Sequence, residues 1–288
     1  MITYGAYPFS NYKLCFVDDV CPDILHNASL SICSSRLLFP EDVIEPMDRV
    51  TRQLVHAVAT QWIGVDIVPD KPHDAWVVIG IAYYITDMYM KKLSGNNEYR
   101  YNQKRAADRV VELDVDRPTL YDTGELITLD SSELELMELK APLILFILDR
   151  RLIKSGTSLG MSRIISRIFL QGRTEELPNV GLDTAHFRKV CERIGHINLE
   201  KFFAQWVEGA GCPKFRVSQR FNKKKLVVEM SILQVQTENV KDKELESSTF
   251  MREVKEDAEK VYAGGIQNCF TVCVPRILAR SANPSRAP

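Results

Sequence analysis

The sequence has few residues of the kinds that build disulfide frameworks and metal sites. Its seven cysteines include no C-x-x-C pair, and its five histidines are scattered along 288 residues. An odd number of cysteines without close pairs argues against a disulfide framework and predicts reduced thiols. No uncharged apolar run approaches the roughly 20 residues that a membrane-spanning helix needs. A cytosolic or nuclear protein is therefore expected.

The chain also lacks an excess of either charge. Its formal net charge is −1 and its pI is near 6.5, which excludes attraction of the whole chain to nucleic acid and leaves only a local basic patch as a possible contact. With 45% apolar and 26% charged residues, the composition is that of a globular protein. The length allows one large core or two unequal domains.

Periodicity predicts an α+β protein that is mainly helical. After short strands over residues 4–38, the apolar spacing predicts helices at 46–64, 76–93, 96–113, 134–154, 161–171, 184–194 and 199–206. From Pro213 onward apolar and polar residues alternate, which predicts a hairpin. We therefore expect a helical domain over 1–208, the hairpin within 209–236, a charged insertion over 237–267 and a disordered tail over 268–288.

One stretch has the spacing of a zinc peptidase site. His56, Trp62 and Gly64 are followed by Trp76 and Gly80, and this matches the H-E-x-x-H-x-W-x-G and W-x-x-E-G motifs of gluzincin aminopeptidases. The chain resembles that family at both tryptophans and both glycines. The resemblance implies a thermolysin-like domain over residues 1–208 and a β-sandwich that begins with the hairpin.

The residues that would perform zinc chemistry are nevertheless replaced. The second histidine of the motif is Thr60 here, the third ligand is Ile79 and the general base is Ala57. Catalytic zinc needs three protein ligands and an open position for water, so His56 alone cannot retain it. The sequence predicts that no metal or other cofactor is bound. The favoured interpretation is that His56 is a neutral, packed histidine that forms a hydrogen bond to Thr60 or to the backbone.

Two further aminopeptidase motifs have also changed. The resemblance places the substrate-amine motif G-A-M-E-N on residues 27–31, where Leu30 replaces the carboxylate. It places the transition-state tyrosine at Glu138, which is followed by Lys140. Glu138 and Lys140 are expected to form structural or surface ion pairs rather than an acid and base pair. No anionic anchor for a peptide amine is left.

Flanking residues make the resemblance more specific. The segments 7–13 and 95–101, together with the altered frame, resemble the TFIID subunit 2 family, and this resemblance runs from about residue 4 to about residue 267. It implies a non-catalytic scaffold in the nucleus that supports assembly of the RNA polymerase II pre-initiation complex and recognition of initiator-region promoter DNA. The implied partners are other TFIID subunits, namely the largest subunit and subunit 8, with no small-molecule substrate.

The predicted hairpin carries a basic cluster. Six basic residues lie within twelve positions that contain no acid: Lys214, Arg216, Arg220, Lys223, Lys224 and Lys225. On a hairpin they could line one face and the tip as a phosphate-contacting patch. Exposed lysines on an edge hairpin also prevent edge-to-edge pairing. The residues alone leave these two alternatives open, and the family resemblance favours contact with promoter DNA.

Three alternative interpretations compete with the scaffold, and two of them are enzymes. Residues 156–160 match the G-x-S-x-G motif, but Ser158 follows a predicted helix, whereas a nucleophile elbow requires a strand before it. The second is an aminopeptidase-related metallohydrolase with an unusual site. The third is a peptide-binding module that keeps the peptidase cleft but does not cleave the peptide. Leu30 argues against the peptide-binding module because it removes the carboxylate that would hold an amino terminus.

Overall fold

The computed structural model describes residues 5–18, 20, 22–115, 117–123, 131–157, 159–177, 181–235 and 269–275. The chain divides into two compact units, Met1–Ala210 and Gly211–Pro288, which we call the helical unit and the sheet unit. The predicted insertion at 237–267 and Ser158 both lie outside the described residues. In the part of the chain that is described, no helix is both long and apolar enough to span a membrane.

The helical unit opens with a small mixed sheet. Strands β1 (Lys13–Val17), β2 (Ile24–Asn27) and β3 (Leu30–Ser34) lie in the order β1-β3-β2, with β1 parallel and β2 antiparallel to β3. Strand β3 is central and its side chains are the most buried of the three. This agrees with the short strands predicted before residue 38.

Seven α-helices follow in the described part of the unit. They are α1 (Met47–Ala59), α2 (Ala75–Leu113), α3 (Leu120–Thr123), α4 (Ser131–Lys154), α5 (Met161–Arg173), α6 (Thr184–Gly195) and α7 (Glu200–Trp206). Helix α1 ends at Ala59 rather than at the predicted Gly64, because residues 60–67 form a series of backbone-bonded turns. Gly64 lies within these turns at a φ of 122°, which favours glycine.

Helix α2 is a hairpin of two helical arms. Gly95 has φ 90° and ψ 173° inside it, a conformation that glycine adopts readily. The Gln103 amide nitrogen donates to an Asp87 carboxylate oxygen over 3.0 Å, although residues 16 apart in a straight helix would be about 24 Å apart. The chain therefore turns back at Gly95. This agrees with the prediction of separate helices on either side of that residue.

The core of the helical unit forms where α2 and α4 pack together and where α5, α6 and α7 contact them. Its largest fully buried side chains are Trp76, Phe187, Phe202, Phe203, Ile63, Ile81, Leu120, Leu136, Met137, Ile144, Leu145 and Leu148. Asp183 caps α6 by accepting a hydrogen bond from the His186 backbone nitrogen. Burial of these apolar side chains supplies most of the stability of the unit.

The sheet unit contains three antiparallel strands in its described residues. Strands β4 (Lys214–Asn222), β5 (Val227–Val235) and β6 (Cys269–Pro275) lie in the order β4-β5-β6. The prediction of a tail without structure from 268 onward is wrong for Cys269–Pro275. These seven residues are rich in β-branched and aromatic types, which suit a strand when a partner is available, and β5 supplies one that is distant in sequence.

Candidate functional site

His56, which the motif resemblance aligns with a zinc ligand, lies in contact with the first arm of α2. Its ring stacks on Tyr83 with centroids 3.9 Å apart, and its Nδ1 lies 3.4 Å from the Thr86 hydroxyl. The contact that the structure shows for this nitrogen is therefore with Thr86 and not with the expected partners, Thr60 or the backbone. The Thr60 hydroxyl instead donates to the Ala57 carbonyl oxygen over 2.9 Å, which closes the last turn of α1.

The other replaced positions are filled by packed side chains. Ala57 has 0% of its surface exposed, so the position of the general base is closed to solvent. Ile79 is half-buried against the core of the helical unit. Leu30 is half-buried at the start of β3. Within the described residues, no three His, Cys, Asp or Glu side chains are grouped so that they could hold a metal ion.

The electrostatics around His56 keep its imidazole neutral. Burial, followed by the nearby His26 ring and the positive Arg52 side chain, lowers the pKa of His56 to about 3. Burial also lowers the pKa of His26, whose ring centroid lies 5.9 Å from that of His56. Two neutral imidazoles therefore lie side by side at neutral pH, as expected for a packed histidine.

We expect this histidine to make stability depend on pH. Because the folded-state pKa is below the unfolded value of about 6.5, the unfolded chain binds a proton first as the pH falls. The contribution of His56 is complete above about pH 7.5, and about 2 kcal/mol of it is lost between about pH 7.5 and about pH 5. Urea unfolding at both pH values checks this, with His56→Gln as the control. If parent and variant lose the same free energy, His56 does not titrate as inferred.

Glu138 and Lys140 have separate roles. Glu138 lies on α4, where it bonds to the Tyr83 hydroxyl. Burial raises the pKa of both groups, and the bond to Tyr83 partly offsets this for Glu138. The Lys140 ammonium pairs with Asp114 over 2.7 Å, and both residues are buried. The expectation of a structural ion pair fits Lys140, and the neighbouring Glu138 contacts a tyrosine that the sequence did not indicate.

Two residues of the peptidase-like motif, Trp76 and Gly80, are explained by packing. The Trp76 indole nitrogen donates to the Thr184 hydroxyl over 3.1 Å and its ring lies edge-on to Phe187 and Phe203. A Cβ atom at Gly80 would lie 3.0 Å from the Ala141 Cβ atom, so glycine permits the close approach of α2 and α4. Both residues therefore stabilise the packing of the domain, and neither contact requires zinc.

Gln61 is an important residue that sequence reasoning missed. It is fully buried, and its side-chain oxygen accepts hydrogen bonds from the Ser29 backbone nitrogen and the Tyr7 hydroxyl at 2.9 and 3.1 Å. Its amide nitrogen donates to the Asn27 carbonyl oxygen over 3.1 Å. Gln61 thereby fixes the turn between β2 and β3 against the end of α1. In the sequence, the only indication of this role was a polar residue directly before Trp62.

A cleft of roughly 790 Å³ adjoins this region. It is lined by residues of α1, both arms of α2 and α4, including Arg52, Asp87 and Glu138. Arg52 forms an ion pair with Asp87 over 2.6 Å, and Arg109 bonds to Glu135 over 3.2 Å. These pairs satisfy part of the charge that lines the cleft.

The basic cluster lies on the sheet unit, and all six of its residues are exposed. Lys214, Arg216 and Arg220 alternate along β4 and so share one face, while Lys223, Lys224 and Lys225 occupy the turn to β5. Asn222 pairs with Val227 across this turn.

Two features of the hairpin shape this cluster. Arg220 pairs with Glu229 over 3.0 Å, so part of its charge is already neutralised within the sheet. The Asn222 side-chain oxygen accepts hydrogen bonds from the backbone nitrogens of Lys224 and Lys225 at 3.1 and 3.2 Å. These bonds order the turn, and the three lysine side chains project from an exposed tip.

Comparisons with known proteins agree with this architecture. The family model described as "TAF2 Ig-like domain" matches residues 210–270. The chain is 42% identical over 248 residues to Transcription initiation factor TFIID subunit 2 of Schizosaccharomyces pombe, a match that covers 86% of this chain and 21% of that relative. It is 43% identical over 241 residues to the Saccharomyces cerevisiae protein of the same name, covering 82% of this chain and 17% of the relative. The chain thus spans about a fifth of the length of these relatives.

Among solved structures, the chain is similar to an M1 zinc metallopeptidase from Deinococcus radiodurans. The TM-score is 0.53 at 22% identity, over 74% of this chain and 43% of that one. The fold is therefore that of an aminopeptidase-like helical domain followed by a sheet. Over most of its length the chain is a relative of TFIID subunit 2.

Proposed function

We propose that this chain acts in the nucleus as a non-catalytic scaffold subunit of the general transcription factor TFIID. The observation that carries the proposal is the identity to the two fungal TFIID subunits over more than four-fifths of the chain. In this role it supports assembly of the RNA polymerase II pre-initiation complex and recognition of initiator-region promoter DNA. Its partners are other TFIID subunits, with the largest subunit and subunit 8 as the proposed neighbours.

The residues of the former peptidase site support a structural role. One ligand position holds a neutral, stacked His56, a second holds Thr60 and a third holds Ile79. The buried methyl group of Ala57 occupies the position of the general base. Zinc hydrolysis needs both a retained metal and a base for its water, and these four side chains supply neither.

Affinity purification tests the proposal directly. We expect the tagged protein, expressed from its own gene, to be recovered from nuclear extract with the other TFIID subunits, including the largest one. Chromatin occupancy should peak at promoters. Recovery of the tagged protein without any other TFIID subunit would contradict the proposal.

The basic hairpin is proposed as a contact to promoter DNA phosphates. Reversing Lys223, Lys224 and Lys225 to Glu should weaken binding about equally for all sequences and flatten its salt dependence by roughly one unit of slope per lost contact. Titration of TFIID on promoter DNA across a salt series measures the slope.

A matched control separates local contact from net charge. Lys71, Lys92 and Lys201 are exposed lysines of the helical unit, and reversing them makes the same change in total charge. The control should keep the parent slope. An identical slope for the hairpin variant and the parent would leave the cluster with the role of edge protection only.

The alternative functions, a metallohydrolase or a peptide-binding module, are tested by metal analysis and aminoacyl fluorogenic substrates. Stoichiometric zinc, or turnover that a chelator abolishes, would favour the hydrolase. We expect neither, because one neutral imidazole is a weak site for zinc. Saturable binding of a free peptide amino terminus would favour the peptide-binding module.

A further inference from the structure

The segment between β3 and α1 exposes an unusual number of apolar side chains. Over residues 38–48, which we call the acidic–apolar segment, Ile44 is 67% exposed and Met47 is 63% exposed. The other exposed apolar members are Leu38, Phe39 and Val43. Single exposed apolar residues are common on protein surfaces, but five within ten consecutive positions indicate a surface that contacts something else.

The backbone of this segment is ordered although its side chains are exposed. The Val43 nitrogen donates to the Pro40 carbonyl oxygen over 3.1 Å, and the Met47 nitrogen donates to the Ile44 carbonyl oxygen over 3.0 Å. Two consecutive turns therefore hold the apolar side chains in place before α1 begins. A partner would meet a largely preformed surface, which lowers the entropy lost on binding.

Charge restricts what that partner can be. Glu41, Asp42, Glu45 and Asp48 all lie in the segment, and no Lys or Arg occurs between Arg36 and Arg49. All four acids are exposed, and none of them has an ion-pair partner among the described residues. Nucleic acid is disfavoured by repulsion from its phosphates, whereas a basic protein surface is complementary.

We propose that the acidic–apolar segment docks a basic segment of another TFIID subunit, whose apolar side chains cover Phe39, Val43 and Ile44 and whose Lys or Arg side chains pair with the surrounding carboxylates. This inference rests on the proposed function. Apolar contacts at the centre with charged pairs at the rim are the usual anatomy of a protein interface. The apolar residues supply affinity, and the acids select the partner.

Photo-crosslinking within assembled TFIID tests the docking. A p-benzoylphenylalanine placed at Val43 should crosslink to a peptide of another subunit that contains several Lys or Arg residues, as identified by mass spectrometry. A crosslink to DNA or to this chain itself overturns the proposal, and so does the absence of any crosslink to another subunit.

Substitutions give an independent measurement. Phe39→Ser combined with Ile44→Ser should reduce the recovery of the partner subunit by about tenfold, because central apolar residues dominate interface affinity. Neutralising Glu41, Asp42 and Glu45 should make the remaining recovery less sensitive to salt. Asp48 is left unchanged because it lies in the first turn of α1, where an acid stabilises the helix.

The control variant keeps failure of this inference distinct from failure of the proposed function. Val111→Ser with Leu159→Ser changes two apolar residues of the same unit that are similarly exposed, and its recovery should equal that of the parent. If the parent is recovered with TFIID and the Phe39 and Ile44 variant is recovered equally well, only the docking surface is wrong. If the parent is not recovered with TFIID, both proposals fail.

Discussion

Ala57→Glu is expected to lower the stability of the helical unit by several kcal/mol and to restore no peptidase activity. The Ala57 side chain is fully buried in α1, so a glutamate there must either carry a charge into an apolar site or displace its neighbours. Each of these costs roughly 1–5 kcal/mol. A unit of this size should melt about 10 °C lower. Hydrolysis is not expected because the added base has no metal-bound water to activate.

Thermal unfolding followed by tryptophan fluorescence measures this change. All three tryptophans of the chain, at positions 62, 76 and 206, lie in the helical unit, so the signal reports that unit. Val58→Glu is the matched control, since Val58 is the next residue of α1 and is 38% exposed. Equal melting temperatures for the two variants would show that position 57 is open to solvent.

Trp76→Ala is expected to be comparably severe, at about 3–5 kcal/mol. The side chain is 1% exposed, and its indole nitrogen bonds to the Thr184 hydroxyl. That hydroxyl donates in turn to the buried Asp74 carboxylate over 2.7 Å. The substitution thus removes a large apolar side chain and opens a polar chain that links α2 to α6. The bond to Asp74 would then remain on the Thr184 side chain.

Trp206→Ala provides the comparison for that experiment. Trp206 is 38% exposed at the end of α7, so its removal should cost only about 1 kcal/mol. Chemical denaturation curves for both variants can be followed by circular dichroism at helical wavelengths. Similar midpoints would mean that Trp76 is not a central element of the core.

Sequence periodicity was sufficient to predict the first hairpin and all the helices except the short α3, because their signals are local. Apolar spacing located α4 through α7 to within a few residues, and Gly95 separated the two arms of α2. Strand β6 was missed because a strand needs a partner, and its partner β5 lies more than thirty residues earlier in the chain. By composition alone, the segment that contains β6 resembles a disordered tail.

The candidate site shows the same limit at the level of side chains. The frame around His56 indicated which ligands were replaced, but not that Thr86 would face the imidazole from a helix thirty residues away. Gln61 contacts Asn27, and Lys140 contacts Asp114, across similar separations. Periodicity gives the buried face of an element, whereas the residue that stands opposite depends on how two elements pack.

The buried pair of Lys140 and Asp114 has a consequence for how this sequence can diverge. Loss of either partner alone leaves an uncompensated buried charge, at a cost of about 3–5 kcal/mol, whereas replacing both by apolar residues of similar volume is often neutral. Single changes at either position should therefore be rare among related proteins, and double changes should be found together. The two positions are expected to covary across an alignment, although 26 residues separate them in the chain.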